Sequence, residues 1–125
     1  MKKYLNIDTW DRKEIFKYFR TLADPTFAVL VDVDVTKAYQ LVEKNTSSFF
    51  VKYLYACMKA INSIENFKYR IEDNKIAIYD VINASATIAR ADNTYGFSFV
   101  EFSENLALFD ENFQKEKKRI QNSTN

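Results

Sequence analysis

Polar positions are scarcest between Ser47 and Ile64, SSFFVKYLYACMKAINSI, where only Lys52, Lys59 and the Asn62-Ser63 pair interrupt the apolar run after the two leading serines. The lysines lie two helical turns apart, so they share one narrow stripe. A helix with so thin a wet face must be covered on nearly every side. At about 18 residues the stretch is too long for a strand, which usually runs about 3–10 residues. Its internal lysines make it a poor membrane span, which needs about 20 nearly uninterrupted apolar positions. With Ser47 or Ser48 as N-cap, it is predicted as the central core helix.

On the N-terminal side, Trp10–Leu22 reads as a helix capped by Asp8 or Thr9. Trp10, Ile15, Phe16 and Phe19 form its apolar side, with Arg12, Lys13, Lys17 and Arg20 elsewhere. Ala23-Asp24-Pro25 ends it, because proline pushes the preceding residue out of helical space. Phe27–Val35 is the clearest strand pattern: Phe27, Val29, Val31, Val33 and Val35 alternate against Ala28, Leu30, Asp32 and Asp34. Thr36–Lys44 reads as a short amphipathic helix carrying Ala38, Tyr39, Leu41 and Val42.

After the core helix, Phe67–Ile71 and Lys75–Tyr79 flank Glu72-Asp73-Asn74, whose Asp-Asn pair tolerates left-handed backbone. This is a predicted hairpin. A second pairs Ala84–Ala91 with Tyr95–Phe102, placing Tyr95, Phe97, Phe99 and Glu101 on one face. Gly96 there marks a close approach or a bulge. Ser103 caps a final helix, Glu104–Gln121, with Leu106, Phe109, Phe113 and Ile120 on one side. No linker or repeat interrupts this order, which predicts one domain over residues 1–125. Its class is α+β: a mixed or antiparallel sheet with helices on one face.

A chain of 125 residues is expected to bury roughly 65–70% of its unfolded surface. Net charge is +1, which gives no reason to expect nucleic acid or an anionic membrane as partner. The single cysteine, Cys57, excludes an intramolecular disulfide, and MKKYLNIDTW lacks the apolar run of a signal peptide. Cytoplasm is the expected compartment. There is no histidine, so no side chain has an unperturbed pKa suited to general acid–base work near neutrality. With one glycine the chain cannot build a Gly-rich phosphate loop. Aromatic residues reach 16% and favour cores and interfaces.

Asp32 and Asp34 share a strand face, but no third ligand or catalytic partner accompanies them. They read as a solvated face, and no metal site is expected. Lys115–Arg119, KEKKR, is too short a basic run for a nucleic-acid site and reads as a solvated helix end.

Five segments together resemble the chloramphenicol acetyltransferases. Trp10-Asp11-Arg12-Lys13-Glu14-Ile15-Phe16 is similar to the family's Trp-x-Arg-[Lys/Arg]-Glu-x-Phe opening. Phe27–Val35 followed by Thr36 resembles its strand ending in Asp-Ile-Thr, and Ser48-Phe49-Phe50 its Lys-Phe-Tyr entry into a long apolar helix. Glu65–Ile71 and Lys75–Asp80 resemble its hairpin with Glu-Phe-Arg and a Trp-Asp end. The resemblance implies the N-terminal part of the CoA-dependent acyltransferase fold. It further implies a trimeric cytoplasmic enzyme that moves an acetyl group from acetyl-CoA to a hydroxyl of chloramphenicol.

The family's catalytic base lies in a His-His-x-x-x-Asp-Gly motif near its C-terminus, and nothing in this chain matches it. No catalytic residue is therefore assigned, and no acetyl-CoA is expected on this chain alone. By the resemblance, Tyr18, Phe19, Ala23, Pro25 and Phe27 line an acceptor pocket at a subunit interface, with Phe97 and Ser98 contributing from a later strand. Ala23 and Pro25 replace larger or sulfur-bearing residues. Arg12 matches an arginine that pairs with the aspartate of the unmatched motif. A buried unpaired guanidinium is costly, so Arg12 is expected to be solvated or paired with another carboxylate.

Three functional readings follow. The first is the N-terminal portion of a chloramphenicol O-acetyltransferase-like enzyme, inactive alone. The second is a non-enzymatic module that holds an amphenicol-like small molecule or a partner subunit. The third is a structural remnant whose exposed apolar face drives self-association. An enzyme using Asp32 and Asp34 ranks last.

Overall fold

The tightest local signal, Asp73-Asn74, forms the turn it predicts. Both residues take positive φ, 47° and 63°, as a two-residue hairpin turn matched to strand twist requires. The turn joins β2 (Tyr69–Glu72) to β3 (Lys75–Tyr79) in antiparallel register, with Arg70 opposite Ala77 and Ile71 opposite Ile76. A computed structural model describes residues 1–42 and 48–123. It adds a strand that the sequence pattern does not disclose: β1 (Lys2–Tyr4) pairs with the other edge of β3, giving the order β1-β3-β2. Burial of Ile76, Ala77 and Ile78 fits the central position of β3.

The expected first helix is shorter than Trp10–Leu22. Asn6, not Asp8 or Thr9, caps a 3-10 turn over Ile7–Thr9, and α1 spans only Lys13–Phe19. The strand expected at Phe27–Val35 does not form: no residue there pairs with another strand among the described residues. A strand exists by its neighbour's hydrogen bonds, and here no neighbour is at hand. α2 (Thr36–Val42) follows; its expected end at Glu43 and Lys44 lies outside the described residues, as does Ser47. Hydrogen bonds from the Thr36 side chain and from its N–H (2.9 Å) hold the Asp34 carboxyl below the usual range.

α3 (Phe49–Ser63) begins at Ser48, whose hydroxyl accepts the Val51 N–H. Its expected all-round cover is not found. Val51 and Met58 are buried, but Tyr53, Ala56, Cys57 and Ala60 remain exposed. The covered side packs on α4 (Leu106–Gln121), where Phe109 and Ile120 are fully buried and Phe50 meets Phe113 with ring centroids 5.4 Å apart. The cap of α4 is Asn105, which accepts the Ala107 and Leu108 N–H groups; Ser103 instead accepts from Asn105. The helix therefore starts later than expected.

The second hairpin is β4 (Thr87–Ala89) with β5 (Tyr95–Phe97), extended by mutual backbone bonds between Ala84 and Val100. Gly96 sits in regular register opposite Ile88. A Cβ on it would lie 2.8 Å from Ile120 Cγ2, so the glycine marks close approach rather than a bulge. Among the described residues the strands form two small antiparallel sheets where one sheet is expected, and the class is α+β as expected.

Polar side chains tie the core's loops. Asn62 donates to the Met58 and Ile82 carbonyls and accepts the Ile82 N–H. Arg90 donates to the Ile120 and Tyr95 carbonyls. No helix among the described residues is long and apolar enough to cross a membrane. The accessible surface is 9841 Å². Against an extended chain of 14.7 kDa that is about 54% buried, below the expectation of roughly 65–70%.

Candidate functional site

The C-terminal end of α1 and the following turn build an aromatic cleft. Phe16 and Phe19, three positions apart, leave one side of the helix together. Asp24 then folds the chain back: its carboxylate accepts both the Thr26 N–H (3.0 Å) and hydroxyl (2.6 Å), which lowers its pKa and fixes Pro25. Phe16, Phe19, Arg20, Pro25 and Ile71 enclose a shallow space of about 80 Å³. Arg20 lies over the Phe16 ring, 5.7 Å from its centroid, and donates to Asn74 Oδ1 at 2.6 Å. The guanidinium thereby locks α1 onto the β2–β3 turn.

Of the residues expected in the acceptor pocket, Phe19 and Pro25 line this cleft. Tyr18 packs edge-on against Phe19 at 5.7 Å but is largely exposed. Ala23 is exposed, and Phe27 is 87% exposed. Phe97, on β5, is also exposed and lies outside the cleft. Ser98 is buried: its hydroxyl donates to the Ala86 carbonyl and accepts the Ala86 N–H. That hydroxyl closes a rung of the hairpin ladder. Arg12 is exposed, with no ion pair among the described residues.

Phe16, Arg20 and Ile71 belong to the cleft without having been foreseen as site residues. The Arg20 position on the polar side of α1 gave no hint, and Ile71 comes from a distant strand. The size matters too. Sites that bury a drug-sized molecule measure about 300–1,000 Å³, so a space of about 80 Å³ is too small to bury one by itself.

Larger hollows occur elsewhere. One of about 380 Å³ lies among Arg70, Tyr79, Val81, Ile82, Asn83 and Phe99. Tyr79 donates a short hydrogen bond to Glu72, which raises the phenol's pKa and keeps it a donor rather than a base. Lys2 also donates to Glu72 (2.5 Å), lowering the carboxyl and raising the ammonium. This network joins β1 to the β2–β3 hairpin. Among the described residues no cluster could hold a metal ion, and Asp32 and Asp34 are exposed.

A family model described as "Chloramphenicol acetyltransferase" matches residues 2–125. A chloramphenicol acetyltransferase of Proteus mirabilis is 27% identical over 84 residues, covering 67% of this chain and 39% of the relative. One from Escherichia coli is 24% identical over 106 residues, covering 84% of this chain and 48% of the relative. A solved chloramphenicol acetyltransferase superposes with a TM-score of 0.90 at 28% identity, over 100% of this chain and 59% of the other. The chain therefore spans about half the length of the curated relatives it matches.

Proposed function

The chain belongs to the chloramphenicol acetyltransferase family, and from that membership we propose that it is the N-terminal portion of an enzyme acetylating a chloramphenicol hydroxyl. Acetyl-CoA is the co-substrate. In that reaction a base removes the acceptor hydroxyl's proton, the oxygen attacks the thioester carbonyl, and the tetrahedral adduct expels the CoA thiolate. This chain holds no histidine, and Tyr79 and Glu72 are committed to each other. Its part is to bind and orient the acceptor, and by itself it is inactive. The enzyme is a cytoplasmic homo-oligomer, completed at a subunit interface.

The observation that carries this reading is the cleft between Phe19 and Pro25. Its aromatic lining suits a nitrophenyl ring, and its small volume suits a site finished by further chain. Calorimetric titration of the chain with chloramphenicol should show weak saturable binding. Phe19→Ala should weaken it at least tenfold, on the scale of one lost aromatic contact. Supplying the rest of the fold should give acetyl transfer; a correctly folded assembly that does not acetylate chloramphenicol defeats the proposal. The lack of histidine favours one other reading, a binding module without chemistry, which predicts ligand binding and no turnover in any assembly.

A further inference from the structure

Successive side chains of a strand leave opposite faces of its sheet. On β2, Ile71 lines the cleft, while Arg70 lines the separate hollow of about 380 Å³. In the β2–β3 register Arg70 stands opposite Ala77, two residues before Tyr79, so Arg70 and Tyr79 share a face. Val81, Ile82 and Asn83 from the segment after β3, and Phe99 from the segment after β5, complete the hollow. Its volume falls within the range of small-molecule sites, about 300–1,000 Å³.

Two of the lining groups carry donors that the protein leaves without acceptors. Arg70 Nη1 donates to the Phe67 and Tyr69 carbonyls at 2.9 and 2.7 Å. Nε and Nη2 of the same guanidinium have no acceptor among the described residues, and no carboxylate among them pairs with it. The nearby acids are committed elsewhere: Glu72 to Lys2, Asp80 to the α-amino group and Glu116 to Arg119. Asn83 Oδ1 accepts the Phe102 N–H (2.9 Å), which fixes the amide and leaves Nδ2 as a donor. Beside these donors stand two rings. Tyr79 offers its face, since its hydroxyl is tied to Glu72. Phe99 is 59% exposed although Glu116 pins its backbone N–H.

The Nε and Nη2 edge of a guanidinium matches a carboxylate bidentately, and aromatic rings suit a flat apolar body. We propose that this hollow binds a small aromatic carboxylate, with the anionic group on Arg70 and Asn83 and the ring against Tyr79 and Phe99. The site is separate from the cleft and does not depend on the acetyl-transfer reading.

Calorimetric titration of the 125-residue chain with 2-naphthoate tests it. One-to-one binding is expected, with a dissociation constant of about 1 mM or below. 2-Naphthamide, similar in shape but uncharged, should bind at least tenfold more weakly. Asn83→Asp keeps an acceptor for the Phe102 N–H but replaces the Nδ2 donor with an anionic oxygen, and should abolish binding. Arg70→Met should weaken it at least tenfold, and Arg70→Lys less, because lysine keeps the charge without the fork. Phe19→Ala should leave it unchanged. Arg70 is exposed, so its variants should melt like the parent chain. No saturable binding by about 10 mM naphthoate, equal affinity for the amide, or full affinity in a folded Arg70→Met chain overturns the proposal. Loss of binding in Phe19→Ala places the ligand in the cleft and overturns it as well. Sedimentation that shows self-association abolished by Arg70→Met assigns the hollow to a second copy, with the same consequence.

Discussion

Two regions of this chain carry similar apolar patterns and have opposite fates. In the unit formed by α3, α4 and the second hairpin, Val51, Val100 and Phe109 are 0% exposed. Their neighbours are supplied within the chain, and Asn62, Ser98, Arg90 and Glu116 satisfy the backbone where segments meet. From Arg20 to Val35 the sequence is as apolar, yet Phe27, Val29, Leu30, Val31 and Val33 face outward. The pattern of a segment states what it needs to bury. It does not state which chain supplies the cover.

The largest expected effect contrasts the two directly. Phe109→Ala removes a fully buried ring that packs on Tyr55 and Phe102, and should destabilise by about 3–5 kcal/mol. Leu30→Ala should change stability by less than about 0.5 kcal/mol, as exposed substitutions do. Urea melts of both variants measure the contrast. Equal losses would mean that residues 27–35 are already packed, and the distinction between the regions would collapse. Next comes Asn62→Ala, which strands the Ile82 N–H and carbonyl beside α3. A cost of about 2 kcal/mol is expected, with faster hydrogen exchange at Ile82. Unchanged stability would show that the loop after β3 holds without this tie.

Sequence reasoning reached as far as interactions are local. The Asp73-Asn74 turn and the Ser48 cap act within a few residues, and both are where the pattern puts them. β1 escaped because Lys2-Lys3-Tyr4 has no alternation; it is a strand only because β3 offers an edge. The α4 start went to Asn105 because its amide oxygen reaches two N–H groups, while Ser103 bonds its own turn. At the candidate site, Phe19 and Pro25 were legible through the family resemblance. Ile71 was not, since only the tertiary packing of β2 against α1 brings it there. The Ser98 hydroxyl looked available in the motif, but the hairpin uses both its donor and its acceptor capacity.

The smallest effect lies at the border of the two regions. Glu116 accepts two bonds from Arg119 and the Phe99 N–H (2.8 Å), which pull its carboxyl from 4.5 down to about 2. A carboxyl whose folded pKa is depressed contributes stability that is full above its unfolded pKa and disappears as pH falls through the folded one. The contribution at Glu116 should therefore fade between pH 4.5 and about 2. Arg119 is half exposed, so screening limits the amount to about 1 kcal/mol. Glu116→Gln should lose about that amount at neutral pH, with a flatter stability profile across the acid limb. Melts from pH 6 to pH 2 in low salt would show it. A variant profile parallel to the parent's would mean that Phe99 is held at the edge of the core by packing alone, and that the exposed ring beside it needs no charge to keep its place.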